Sequence, residues 1–215
     1  MKLSAFIILA TIFVGLAKAQ CPNFGKMDFV FALDSSTSTG AENWAKVQNL
    51  VTSLISHFSL APEKARFSVF RFNRIPHRRS EIVLNSFIDD KPGMITAVYN
   101  LPYYGSGSYI GRALQHAKSV SLSESNGNRA EYKDIVVTVT DGRTYDDMLT
   151  PSNSLRDSNV LTYAIGVQPT NGRGTRNDKL LEIAGSEQNL FLTNVIGFNG
   201  AYDGIIAALE RDLCV

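Results

Sequence analysis

The stretch KMDFVFALDSSTS, residues 26–38, decides the fold. Lys26–Leu33 is a mostly apolar run with aromatic and branched residues, and it stops at Asp34. An apolar run of this length without alternation reads as a strand buried on both faces, the kind found in parallel sheets covered by helices. The segment Asp34-Ser35-Ser36-Thr37-Ser38 is too polar to continue the strand and stands at its carboxyl end. In open parallel sheets, ligands gather at that end, where the connecting loops converge.

The same pattern repeats outward from this stretch. Lys133–Thr140 (KDIVVTVT) is a second buried-strand run and ends in Asp141-Gly142, and Leu161–Val167 (LTYAIGV) is a third. Arg66–Phe72 (RFSVFRF) alternates as a strand, and Glu81–Leu84 and Leu190–Leu192 read as short ones. Between them, Glu42–Phe58 sets Trp44, Val47, Leu50, Val51, Leu54, Ile55 and Phe58 at spacings of three and four, an amphipathic helix. Lys91–Asn100 reads as a short helix with Pro92 tolerated in its first turn. Ile110–Val120, Pro151–Asp157, Lys179–Ala184 and Tyr202–Leu213 complete the helical segments. Strands alternating with helices predict an α/β fold, a doubly wound, mostly parallel central sheet with helices on both faces. No repeat, low-complexity tail or linker divides the chain, so one domain over residues 20–215 is expected.

The ends carry their own information. Met1-Lys2, the apolar run Leu3–Ala17 and the A-x-A pattern Ala17-Lys18-Ala19 read as a secretory signal peptide over residues 1–19. The run of ~15 residues falls short of the ~20 needed to span a bilayer, so a membrane anchor is the weaker reading. Secretion makes disulfides admissible, and the chain has two cysteines, Cys21 and Cys214. Their placement near the two ends predicts one bond closing the domain, with free thiols or bridges between chains as the alternatives. Lys and Arg number 21 against 20 Asp and Glu, which gives no overall drive towards nucleic acid or an anionic membrane.

Three segments hold oxygen donors at positions where strand-end loops meet. They are Asp34-x-Ser36-x-Ser38, Gly105-Ser106-Gly107-Ser108 before a helix, and Asp141-Gly142. Two carboxylates and several hydroxyls suit a hard cation, Mg²⁺ most naturally, with water completing the shell. The plainer reading is that Asp34 or Ser36 caps the first helix and the rest are turn residues.

Taken in order, these segments resemble the metal-ion-dependent adhesion site of von Willebrand factor A-type (VWA) domains. That family reads D-x-S-x-S after the first strand, a Thr in a Gly-rich loop before a later helix, and an Asp in a T-D-G turn. Here Asp34-x-Ser36-x-Ser38 and Thr140-Asp141-Gly142 match, while Ser108 stands where the family has Thr. The hydroxyl is kept, and the side chain loses the rotamer restraint of a β-branched residue. Leu155-Arg156-Asp157, Tyr163-Ala164-Ile165-Gly166-Val167 and Leu181-Glu182-Ile183-Ala184 are also similar to family segments, so the resemblance covers nearly the whole chain. In texture it is nearest to matrilin and collagen VI-type modules. The resemblance implies a site of Asp34, Ser36, Ser38, Ser108 and Asp141 for Mg²⁺ or Mn²⁺. In the ligand-bound state the three serines would coordinate directly and the two aspartates through water.

The resemblance implies a secreted, cation-dependent adhesion module that captures an Asp or Glu of an extracellular protein, among them matrix or collagen-like proteins. The alternative is a structural protein of a matrix or mineralised layer that uses the fold for assembly, with the metal incidental. A secreted metal-dependent hydrolase is a third and weaker reading, because no base is placed beside the ion. No G-x-S-x-G elbow, P-loop or dinucleotide fingerprint is present, and His57, His77 and His116 lack zinc spacing, so no enzyme is expected. Arg173 and Arg176 in the polar loop Gln168–Asp178 are candidates for the rim of the site, where they would favour an acidic partner. Arg71, Arg74, His77, Arg78 and Arg79 form a basic cluster that would suit sulfated glycans or acidic matrix. The reading preferred from sequence is a charged connection that discourages edge pairing.

Overall fold

A parallel pairing between β1 (Met27–Asp34) and β3 (Lys133–Thr140) organises the molecule. The structure is a computed structural model that describes Cys21 and residues 24–214; the expected leader over 1–19 lies outside the described residues. β2 (Arg66–Phe72), β4 (Leu161–Gly166) and β5 (Leu190–Leu192) join them in the order β2-β1-β3-β4-β5, every pair parallel. The register sets Leu33 beside Val139, so Asp34 is level with Thr140 and Asp141 follows one residue beyond. The carboxyl ends of the two strands therefore deliver both candidate carboxylates to one place.

Side chains of β1 alternate between two cores, which is why the run is apolar throughout. Phe29, Phe31 and Leu33 meet Val47, Leu50, Val51, Leu54 and Ile55 of α1 (Ala41–His57) and Ile205 and Leu209 of α6 (Thr193–Leu213). Val30 and Ala32 face the other way, with Phe70 and Phe72 of β2. There they meet Ile110, Ala113 and Leu114 of the helix at Ile110–His116, Leu155 of that at Leu149–Asp157, and Leu180 and Ile183 of that at Asn177–Ala184. With the helix at Lys91–Tyr99 packed beside α1, these are α2 (91–99), α3 (110–116), α4 (149–157) and α5 (177–184). Burial of a single Leu, Ile or Phe side chain contributes about 1.5–3 kcal/mol, so the two layers together hold the sheet between its helices.

Several boundaries differ from the sequence reading. Glu81–Leu84 is no strand: Ile82 exchanges two backbone hydrogen bonds with Val69 at 2.8 and 2.9 Å, and the pairing ends there. Glu81 instead turns its buried carboxylate to His116 Nε2 (2.7 Å) and the Ser121 hydroxyl (2.6 Å). α3 passes into a wider π-helical turn over Ala117–Ser121, which places His116 and Ser121 on that one carboxylate. α4 begins at Leu149, because Asp147 Oδ1 accepts the amides of Leu149 and Thr150 ahead of Pro151. α6 starts at Thr193 and is broken at Gly197, whose φ of 71° only glycine adopts readily; the expected Tyr202–Leu213 lies within the part after the break. Cys21 and Cys214 are joined by a disulfide across 193 residues, with their Cα atoms 5.1 Å apart.

Candidate metal centre

The loops above β1, β3 and α3 are tied to one another before any ligand is considered. Ser35 N and Oγ both donate to Phe72 O (2.8 and 2.9 Å), fixing the turn after β1 to the end of β2. Thr37 and Ser106 exchange two bonds: Thr37 N to Ser106 O at 2.9 Å and Ser106 N to Thr37 Oγ1 at 2.8 Å. Ser106 needs this support, because its φ of 85° lies where a non-glycine residue is strained. Asn73 holds the same loop from below, with Nδ2 on Gly105 O and its carbonyl accepting the Tyr109 amide, both at 2.9 Å.

Within this frame the five candidate residues meet. Asp34 Oδ2 accepts from Ser108 Oγ at 3.0 Å and from Thr140 Oγ1 at 2.6 Å, and Asp34 Oδ1 accepts the Ser36 amide at 2.9 Å. Ser36 Oγ and Ser38 Oγ lie 3.2 Å apart. Asp141 Oδ1 accepts the Arg143 amide at 2.9 Å, and its Oδ2 lies 3.4 Å from the Arg143 guanidinium. Asp34, Ser36, Ser108 and Asp141 are all buried, and Ser38 opens onto the groove above them.

Two buried acids so close are costly. Burial pushes the Asp34 carboxyl up to about 6; hydrogen bonds from Thr140 and Ser36 oppose the rise, and the charge of Asp141 adds to it. The cation beside Asp141 is Arg143, about a quarter exposed and too distant for a strong bond. A divalent ion among the hydroxyls would supply the missing positive charge, so the donor set fits a hard cation. Among the described residues no group of three or more His, Cys, Asp or Glu is gathered, so the hydroxyls must supply the remaining donors.

The groove over the site has a volume of about 430 Å³ and is lined by Ser38, Ser108, Arg143, Tyr145, Arg173 and Arg176 among others. The 168–178 loop reaches it by two backbone bonds, Thr170 N to Ser38 O at 3.2 Å and Arg176 N to Asp141 O at 2.9 Å. That approach requires Gly142, since a Cβ there would come within 2.8 Å of Arg176 O. Arg173 and Arg176 thus both border the groove, although Arg176 shares its charge with Asp178 through bonds of 2.7 and 3.0 Å. Sequence reasoning missed Thr140, Arg143 and Tyr145. Thr140 was signalled by its place directly before Asp141, and Arg143 by following Gly142 directly. Tyr145, exposed and tilted against Tyr109 with ring centres 5.8 Å apart, carried no signal.

Comparison with known proteins places this geometry. The collagen alpha-1(XX) chain of Mus musculus is 28% identical over 91% of this chain and 14% of its own length. Matrilin-2 of Mus musculus is 30% identical over 86% of this chain and 20% of its own. The chain therefore spans a fifth or less of these relatives. Among solved structures, proximal thread matrix protein 1 from the mussel byssus superposes with a TM-score of 0.75 at 21% identity, covering 88% of this chain and 48% of that one. That protein is also known with zinc in its MIDAS motif. Manganese-loaded Plasmodium vivax TRAP protein superposes with a TM-score of 0.71 at 23% identity, over 89% of this chain and 74% of that one. These likenesses show that the fold is shared. The model of the von Willebrand factor type A domain matches residues 28–203, a span that holds Asp34, Ser36, Ser38, Ser108 and Asp141, and the chain belongs to that family.

Proposed function

We propose that this chain is a secreted, single-domain binding module over residues 20–215 that captures an acidic residue of an extracellular protein through a divalent cation, and that it catalyses no reaction. The observation that carries this reading is the convergence of two buried carboxylates with the hydroxyls of Ser36, Ser38 and Ser108 at the carboxyl ends of β1 and β3. Support also comes from zinc and manganese in two structural neighbours and from relatives that are collagens and a matrilin. Among the described residues no helix is long and apolar enough to cross a membrane. Mg²⁺ is the ion proposed, with Mn²⁺ as its equivalent, because the donors are all oxygen.

Ser36, Ser38 and Ser108 would hold the ion, with Asp34 and Asp141 acting through water. When bound, it supplies a coordination position for one more carboxylate oxygen. The chain's own residues do the rest. Thr140 and the Ser36 amide keep Asp34 oriented, and Arg173 with Arg176 gives the groove a positive rim that steers an acidic partner.

The test is capture of partners from extracellular fluid or matrix extract by the immobilised chain, with Mg²⁺ or with EDTA. Proteins retained in Mg²⁺ and released by EDTA are expected; self-assembly or retention indifferent to EDTA would favour the structural reading instead. Arg173→Glu with Arg176→Glu is expected to slow association with a captured partner by ~10-fold and to flatten its salt dependence, since rim charges act on encounter. The Arg173 change should account for most of this, because Arg176 is already paired with Asp178. Surface plasmon resonance at several salt concentrations reads both quantities, and unchanged kinetics would remove the loop from the binding face.

A further inference from the structure

The segments 67–80 and 100–112 hold five arginines, Arg71, Arg74, Arg78, Arg79 and Arg112, and contain no Lys, Asp or Glu. Arg74, Arg78, Arg79 and Arg112 are exposed. Arg71 is different: it is 4% exposed, and its Nε and Nη1 donors have no hydrogen-bond partner. Its guanidinium lies 4.1 Å from the ring centre of Tyr104, itself 63% exposed. The carboxylates that meet these segments are committed elsewhere, Asp34 among them through its bonds from Ser108, Thr140 and Ser36. Glu81 binds His116 and Ser121, and Asp146 accepts the amides of Gly111 and Arg112 and the Thr144 hydroxyl. His77 is held below its ordinary pKa by burial and by the charge of Arg71, so the positive charge here resides on the arginines.

Blocking of edge pairing does not account for this concentration of charge. The outer edge of β2 is already met by the chain itself, through the Val69–Ile82 and Phe72–Pro76 bridges. A buried cation without an anionic partner costs several kcal/mol, and it is retained here in the same two segments as four exposed cations. An all-arginine set also differs from a lysine-rich solvated face. Guanidinium is weakly hydrated and forks two N–H groups towards the oxygens of a tetrahedral or planar anion.

We propose that Arg71, Arg74, Arg78, Arg79 and Arg112, with Tyr104, form a second binding site, independent of the metal, for a sulfated polysaccharide. A polymer with a sulfate on successive sugars matches several exposed guanidinium groups distributed over one turn and one helix start. Arg71 adds an uncompensated charge beneath them, screened from water by the Tyr104 ring. The site adjoins the metal groove through Asn73, which bonds Gly105 and Tyr109, so a chain anchored to polysaccharide keeps its groove free for a protein partner.

The experiment titrates a size-defined, labelled heparin oligosaccharide into the full chain in EDTA and follows anisotropy at several salt concentrations. Binding is expected in EDTA and in Asp141→Ala, with affinity falling as salt rises. Arg74→Glu, Arg78→Glu and Arg79→Glu combined should weaken it roughly 100-fold and flatten the salt slope, since three released counterions are lost and three repulsions added. Arg71→Met should weaken heparin several-fold while raising the melting temperature, because it removes an unpaired buried charge and keeps the volume. A merely structural Arg71 would instead give a lower melting temperature and unchanged binding. The proposal is overturned if heparin fails to bind at low salt, if the triple variant binds as tightly as the parent, if EDTA abolishes binding, or if polyglutamate of matched charge binds equally well.

Discussion

Arg129→Ala is expected to lower the free energy of unfolding by about 3–5 kcal/mol, the cost of leaving one partner of a buried ion pair alone. Asp28 lies at the start of β1 with no exposed surface, and the Arg129 side chain is 9% exposed. Arg129 N donates to Asp28 Oδ2 at 2.8 Å and Nε to Oδ1 at 3.0 Å. The rest of the guanidinium caps the amino end of the sheet, reaching Pro62 O at 2.8 Å, Lys64 O at 2.9 Å and Met27 O at 3.2 Å, with its flat face 3.5 Å from the Tyr132 ring centre. Truncation leaves the Asp28 charge with the amide of residue 129 in place of a cation and removes three carbonyl contacts at once. Arg129→Lys should recover little, because an ammonium has neither the fork nor the stacking face. Urea unfolding measures both. A loss below about 1 kcal/mol for Arg129→Ala would mean that water replaces the guanidinium and that the pair is not buried in effect.

Removal of the disulfide should have a comparable effect by a different route. Cys21 and Cys214 close a loop of 193 residues, and constraint of so long an unfolded chain stabilises the fold by ~5 kcal/mol in the chain-entropy model. Cys21→Ser with Cys214→Ser, or reduction of the parent, is expected to shift the urea midpoint down with the native circular dichroism retained at zero urea. Both preparations should agree. An unshifted midpoint on reduction would show that the bond closes nothing that the unfolded chain would otherwise explore. Around the bond, Tyr163 OH donates to Asp212 Oδ2 at 2.7 Å, so the last helix is also held to β4 without it.

The strands were legible because burial on both faces leaves a signature that propensity cannot mimic. Lys26–Leu33 and Lys133–Thr140 are apolar without alternation, and the structure places them inside the sheet, with β1 shifted by one residue to end on Asp34. Glu81–Leu84 misled because its residue types suit a strand, whereas Val83 N bonds the Ser86 hydroxyl and Glu81 serves His116 and Ser121. The early start of α6 was hidden by Gly197 and Gly200, which dilute helical periodicity; nothing in the local sequence says that the helix resumes across Gly197. At the site, the carboxylates and serines were readable because they follow strands. Thr140 was not assigned, since its role depends on the register that sets β1 level with β3. Tyr145 faces the groove through the fold of its loop, which spacing does not encode. The charges around Arg71 were visible as a cluster; that Arg71 itself is buried and unpaired was not.

Binding of a divalent cation by Asp34 and Asp141, with Ser36, Ser38 and Ser108, is tested most directly by calorimetric titration of Mn²⁺ into the folded parent and into Asp141→Ala. The variant should keep its fold, because among the described residues the Asp141 side chain bonds only the Arg143 amide and guanidinium, and its removal relieves repulsion on Asp34. One ion bound per parent chain and none in the variant is the expected result, with matching circular dichroism for both. A parent chain that is folded and binds no ion at millimolar Mn²⁺, or a variant that binds as the parent does, would contradict a metal-dependent site at these residues.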